Sequence, residues 1–159
     1  MRYQLVVVVC LFCLTAVAQT RPSPVVTAYL EKVLECESNP QPAKVIRVLR
    51  TSGDIEMNSH MNYDSYNFFS AKKPIVVWGF KVESVFGFDQ DRLFERGPGT
   101  APPITFGVVI AESPATIKQR LAKLKLKGIT VEVPDLNDVG DPRSNYIPPN
   151  RAWISCSNQ

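Results

Sequence analysis

Residues 104–133 read strand, helix, strand within a single stretch, and no other part of the chain limits the possible folds as tightly. Ser113 is a good N-cap, and Pro114 stands at the first helical position, where a missing N–H costs nothing. Gly128 follows as a left-handed stop, so the spacing predicts a helix over 114–127. Ile117, Leu121 and Leu124 form its narrow apolar stripe, with Ala122 beside it and cations outside. The flanking segments 106–111 and 129–133 read as strands; placed in one sheet, they make the helix a parallel crossover.

The first eighteen residues are expected to leave before folding. Arg2, the apolar run 5–14 and the small residues Ala16-Val17-Ala18 have the order of a cleavable secretory signal. The run is too short to cross a bilayer, which takes about 20 apolar residues, and no transmembrane segment is expected later. Removing 18 of 159 residues leaves 141, enough for one secreted, extracellular domain over 19–159. Of the four cysteines, Cys10 and Cys13 go with the signal, leaving Cys36 and Cys156 in an oxidising compartment. One disulfide between them is expected, an interchain bridge or a free pair being the alternatives. Closing a loop of roughly 100 residues is worth about 4 to 5 kcal/mol in the chain-entropy picture.

The rest of the chain suggests helix first and strands afterwards. Ser23-Pro24 repeats the capping signal, and Val26, Tyr29, Leu30, Val33 and Leu34 recur at helical spacing up to Cys36. Residues 44–50 alternate and read as a strand, paired through the turn Ser52-Gly53-Asp54 with a second strand over 55–63. Residues 63–73 read as a bend or loop. A strongly apolar strand follows over 75–82, in which Gly79 marks a bulge or close approach, with 85–88 as its extension. Residues 89–103 hold Gly97-Pro98-Gly99 and Pro102-Pro103 and cannot form one regular element. Residues 135–149 read as a polar loop, and 152–156 as a short last strand.

The expected fold is therefore α+β: a mostly antiparallel twisted sheet with an N-terminal helix and a second, lysine-rich helix, in a strand-helix-strand unit, packed on it. Helix first and antiparallel strands after it is similar in outline to cystatin-like architecture. The chain has no Gln-X-Val-X-Gly loop, and no family is assigned on that outline.

Function is constrained mainly by what is missing. His60 is the single histidine, there is no Gly-X-Ser-X-Gly elbow and no His-X-X-X-His pair, so serine-triad and zinc chemistry have little to build on. Residues 135–146 fail as a calcium loop, with Val139 at the fifth position and Tyr146 where a bidentate Glu belongs. No cofactor is expected. Glu83, Asp89, Asp91 and Glu95 could supply a carboxylate pair for a small hydrolase. Losing Arg2 turns 18 basic side chains into 17 against 15 acidic ones, a net of +2, so nucleic acid is a poor partner.

Two surfaces stand out. The helix carries Lys118, Arg120, Lys123, Lys125 and Lys127 with no acid among them, a surface for an acidic protein or an anionic glycan or lipid. The loop after Phe88 carries Arg92, Phe94 and Arg96. The reading is a secreted noncatalytic binding protein that uses one of these surfaces. The alternatives are the carboxylate hydrolase and a protease inhibitor presenting Arg92 or Arg96. Most of the aromatic side chains between Tyr63 and Phe106 are expected in the core.

Overall fold

A computed structural model describes residues 21–37, 39–98, 101–126, 129–132 and 151–157. The signal at 1–18, the acidic loop at 135–146, Lys127 and Gly128 lie outside the described residues. Among the described residues three helices pack with a six-stranded antiparallel sheet, as the α+β reading requires. Among the described residues no helix is long and apolar enough to cross a membrane.

The first helix, α1, spans Pro24–Leu34, with Ser23 capping it through the Val26 N–H. It buries Leu30 and Leu34 and leaves Val25 in solvent. The next element corrects the sequence reading: 44–50 is no strand, and α2 is a helix over Pro42–Thr51. The short alternation hid a second period, because Pro42, Val45, Ile46 and Leu49 fall on one helical face and are buried. Val48, the partner of Ile46 in the alternating pattern, is 44% exposed. Gln41 makes no side-chain cap; the carboxylate of Asp89, 46 positions away, accepts from Ala43 N–H instead.

The hairpin expected from 44–50 and 55–63 is accordingly absent. Within 55–63 the contacts to the strand that follows are the Ile55–Ala71 bridge, the Glu56 and His60 N–H groups on the Ser70 and Phe68 carbonyls, and the short edge strand β1, Met61–Tyr63, while Met57 is exposed. Segment 63–73, read as a loop, supplies most of β2, Tyr66–Val77. Pro74 does not end this strand because the ladder to the next one breaks between Ser70 and Ile75. Across that break the N–H groups of Lys72 and Lys73 turn to the Asp54 carbonyl, so the missing proline donor is not needed.

A further correction concerns 75–82, which is two strands and a turn. Trp78 and Gly79 both have positive φ, 47° and 78°, and join β2 to β3, Phe80–Phe88, as a two-residue hairpin turn. Trp78 is a poor residue for that conformation. Its N–H donates to the Glu31 carboxylate of α1, which ties the first helix to the turn. Val85, Phe86 and Phe88 do extend β3, as expected.

The strand-helix-strand unit is present as β4 (Thr105–Ile110), α3 (Pro114–Leu124) and β5 (Thr130–Glu132). Ser113 caps α3 at Thr116 N–H with Pro114 in the first turn. The helix stops earlier than 127, at Lys125, which adopts the left-handed conformation itself and leaves Leu124 exposed. The last strand, β6 (Ala152–Ser157), lies between β4 and β5 and is antiparallel to both, so those two run parallel without touching. The sheet order is β1-β2-β3-β4-β6-β5. Cys36, just past α1, is bonded to Cys156 on β6, their Cα atoms 5.5 Å apart.

Strand alternation divides the apolar residues between two cores. Phe106, Val108 and Ile110 face the helices along with Phe69, Val85 and Ile154, and the main core also takes Leu30, Ile46, Leu49 and Ile117. On the other side Met61, Phe68, Phe86, Val109 and Trp153 make a smaller cluster. The Phe68, Phe86 and Trp153 rings touch mutually, with centroids 4.8–5.1 Å apart, although β2 and β6 are three strand spacings apart. Gly107, on the strand between Phe86 and Trp153, leaves the room; a Cβ there would run into the Phe86 ring and stand 2.8 Å from the Ile154 carbonyl. Aromatic burial is thus structural, as the sequence suggested.

Candidate functional site: the braced loop after β3

Residues 89–98 leave β3 without regular structure, yet bonds fasten them along their length. The first bracket is carboxylate chemistry. While one oxygen of Asp89 holds Ala43 N–H at 2.9 Å, the other accepts from Asp91 N–H at 2.7 Å. Asp91 accepts from Leu93 N–H at 2.9 Å and takes Arg47 Nη2 at 2.6 and 2.7 Å. The Arg47 hydrogen bond first, and the Leu93 amide second, hold the Asp91 carboxyl below the usual carboxylate range. Phe94 N–H closes a turn onto Asp91 carbonyl, and the Phe94 ring is buried near Phe88, centroids 6.4 Å apart. Phe94 thus anchors the loop in the main core.

The second bracket is an amide clamp. Asn67, fully buried on β2, accepts from Glu95 N–H at 3.1 Å and donates to Glu95 carbonyl at 2.9 Å and to Ser65 carbonyl at 2.8 Å. Asn62 Nδ2 reaches the same Glu95 carbonyl at 2.7 Å. One residue past Arg96, Gly97 N–H donates to Ser65 Oγ at 2.9 Å. A side chain at Gly97 would meet Ser65 N at 3.2 Å, so the loop lies close against the β1–β2 turn. The backbone is held on both sides of Arg96.

The candidate residues separate into distinct places. Phe88 and Phe94 are structural, whereas Arg92 and Arg96 are exposed and have no ion-pair partner among the described residues. On α3, Lys118, Lys123 and Lys125 are exposed, but Arg120 folds over the Phe80 ring, 4.0 Å from its centroid. Phe80 and Phe88 are the two ends of β3, roughly 26 Å apart at about 3.3 Å per residue. The two cationic surfaces are not one site.

Among the described residues, three of the four candidate acids are held by other groups. Glu83 forms a two-pronged ion pair with Arg151, Asp89 caps α2, and Asp91 pairs with Arg47. These three acids are bonded to different partners, Glu95 is exposed, and the Asp91 shift is opposite to what a general acid needs. His60 Nδ1 stands 3.0 Å from Ser70 Oγ on the surface, and desolvation lowers its pKa from the usual value. Among the described residues no carboxylate orients that ring, and no group of three or more His, Cys, Asp or Glu is placed to hold a metal.

An inhibitor loop meets a protease as an extended strand around the residue being gripped. Two positions before Arg96, Phe94 is buried and its amide is turned inward; Arg92 sits in the same turn. That arrangement suits a surface contact better than insertion into a cleft.

Sequence reasoning missed Asn62, Ser65, Asn67 and Arg47, the residues that do the bracing. The Asp89-Gln-Asp91 spacing was the available signal, since Asp side chains accept from amides two residues on. No protein-family profile, no curated protein and no solved structure matches this chain.

Proposed function

We propose that the chain is an exported, noncatalytic recognition protein that contacts an extracellular protein through residues 89–98, with Arg92 and Arg96 as the contacting cations. The order of charged, apolar and small residues at 1–18 and the Cys36–Cys156 bond support export. The observation that carries the recognition reading is the paired hydrogen bonding of Asn67 to both backbone groups of Glu95. A loop already ordered before contact loses little conformational entropy on binding, which is how a small exposed surface gains affinity. Two unpaired guanidiniums on it favour an acidic surface, because Arg presents planar, forked donors to carboxylates. The α3 lysines are the competing surface; their helix is capped and rooted too, but ammonium groups lack the forked donors of Arg92 and Arg96.

Amide chemical-shift mapping with a glutamate-rich peptide separates the two. Shifts should concentrate at 91–97 and vanish in the Arg92→Ser, Arg96→Ser variant. Shifts confined to 118–125, or none at millimolar peptide, would refute the loop as the contact surface.

A further inference from the structure

A cavity of about 490 Å³ opens between α1 and α2, lined by a stripe from each helix and by Asn39, Pro40 and Gln41 of the segment joining them. On α1 the stripe is Tyr29, Lys32 and Val33; on α2 it includes Lys44 and Val45. Within each helix these residues are three and four positions apart or adjacent, so both helices present a lysine next to a valine to the same space. The volume lies in the range of small-molecule pockets, about 300 to 1,000 Å³.

The walls are fixed independently of one another. Leu30 and Leu34 root α1 in the core, the Glu31 carboxylate holds the β2–β3 turn, and Cys36 is bonded to β6. The Asp89 carboxylate pins the start of α2, while Val45, Ile46 and Leu49 are buried beneath it. Collapse of one helix onto the other would break these ties, so the space is built into the fold. Its chemistry is two-sided: valines and the Tyr29 ring offer an apolar floor, and two ammonium groups outnumber the one carboxylate, Glu37. The Tyr29 hydroxyl adds a donor beside the two ammonium groups.

We propose that this cleft binds small amphipathic organic anions, with the apolar body against Tyr29, Val33 and Val45 and the anionic head between Lys32 and Lys44. The assignment is independent of the loop's role, since the two regions share no proposed contact residue. The test is calorimetric titration of the disulfide-intact mature chain with decanoate below its micellar concentration, beside decanol and decyltrimethylammonium. Saturable one-to-one decanoate binding is expected, weakened at least tenfold by Lys32→Gln, Lys44→Gln and unchanged by Lys118→Gln, Lys123→Gln. Lys32 and Lys44 are both exposed, so the double variant keeps its core. Absence of saturable binding, equal affinity for decanol, or affinity untouched by the Lys32 and Lys44 substitutions would overturn the assignment.

Discussion

Asn67 and Glu95 lie 28 positions apart and hold each other as a strand pair would: the Asn67 side-chain amide accepts from Glu95 N–H and donates to Glu95 carbonyl. A buried side chain thereby does for one loop residue what a neighbouring backbone does in a sheet. Removing it leaves the buried Ser65 carbonyl without its donor and the part-buried Glu95 amide without its acceptor, at about 1 to 3 kcal/mol, while Asn62 still serves the Glu95 carbonyl. With Asn67→Ala, trypsin should cut after Arg96 roughly 5- to 100-fold faster, as local opening becomes more frequent. Cleavage at the wild-type rate, followed by mass spectrometry, would show that the clamp does not restrain the loop.

Asp91 gives the loop a pH dependence of known sign. Its folded pKa is lowered, chiefly by Arg47, so the anchoring contribution is present above the unfolded carboxylate range and is lost as pH falls through the folded value. The Leu93 amide shift should titrate with a midpoint below about 3.9, the ordinary Asp value. Asp91→Asn should abolish that titration while leaving the fold intact. A midpoint at or above the ordinary value would contradict the Arg47 pairing.

Gly107→Ala probes the second core. The added methyl meets the Phe86 ring and the Ile154 carbonyl, and overpacking of this kind costs roughly 1 to 3 kcal/mol. Urea unfolding should show that loss, and Phe86→Leu in the same chain should recover part of it. An unchanged midpoint for the single variant would mean that the Phe86 ring moves aside without cost.

The Cys36–Cys156 bond closes a loop over a sequence separation of 120. Reduction, or Cys36→Ser with Cys156→Ser, should lower stability by about 2 to 5 kcal/mol in denaturant titrations. All three helices and the sheet bury apolar residues of their own, so the reduced protein should still give a cooperative transition. Loss of any transition would assign the bond a larger share of the stability than apolar burial.

How far the sequence could be read depended on whether the deciding contacts were local. Ser23-Pro24 and Ser113-Pro114 cap their helices with atoms three residues away, and both starts are as the spacing indicates. The helix α2 has no local cap, because its donor Ala43 is satisfied by Asp89, and the alternation of a short window overrode the buried face of Val45, Ile46 and Leu49. Pro74 argued against a strand that in fact tolerates it where the ladder breaks. Trp78 concealed a turn, since a bulky residue at positive φ gives no signal in the sequence. The loop's Arg92 and Arg96 were legible as candidates, whereas the bracing by Asn62, Ser65 and Asn67 was not, being built from residues about thirty positions away.

The place of β6 bears on how the molecule is made. Strands β4 and β5 leave a gap that residues 152–157 fill, so the facing edges of both stay unmatched until that segment pairs with them. Sheet closure is therefore a late, long-range event, slow by the same topology that makes it final, and Cys36 meets its partner only when the last strand has slotted home.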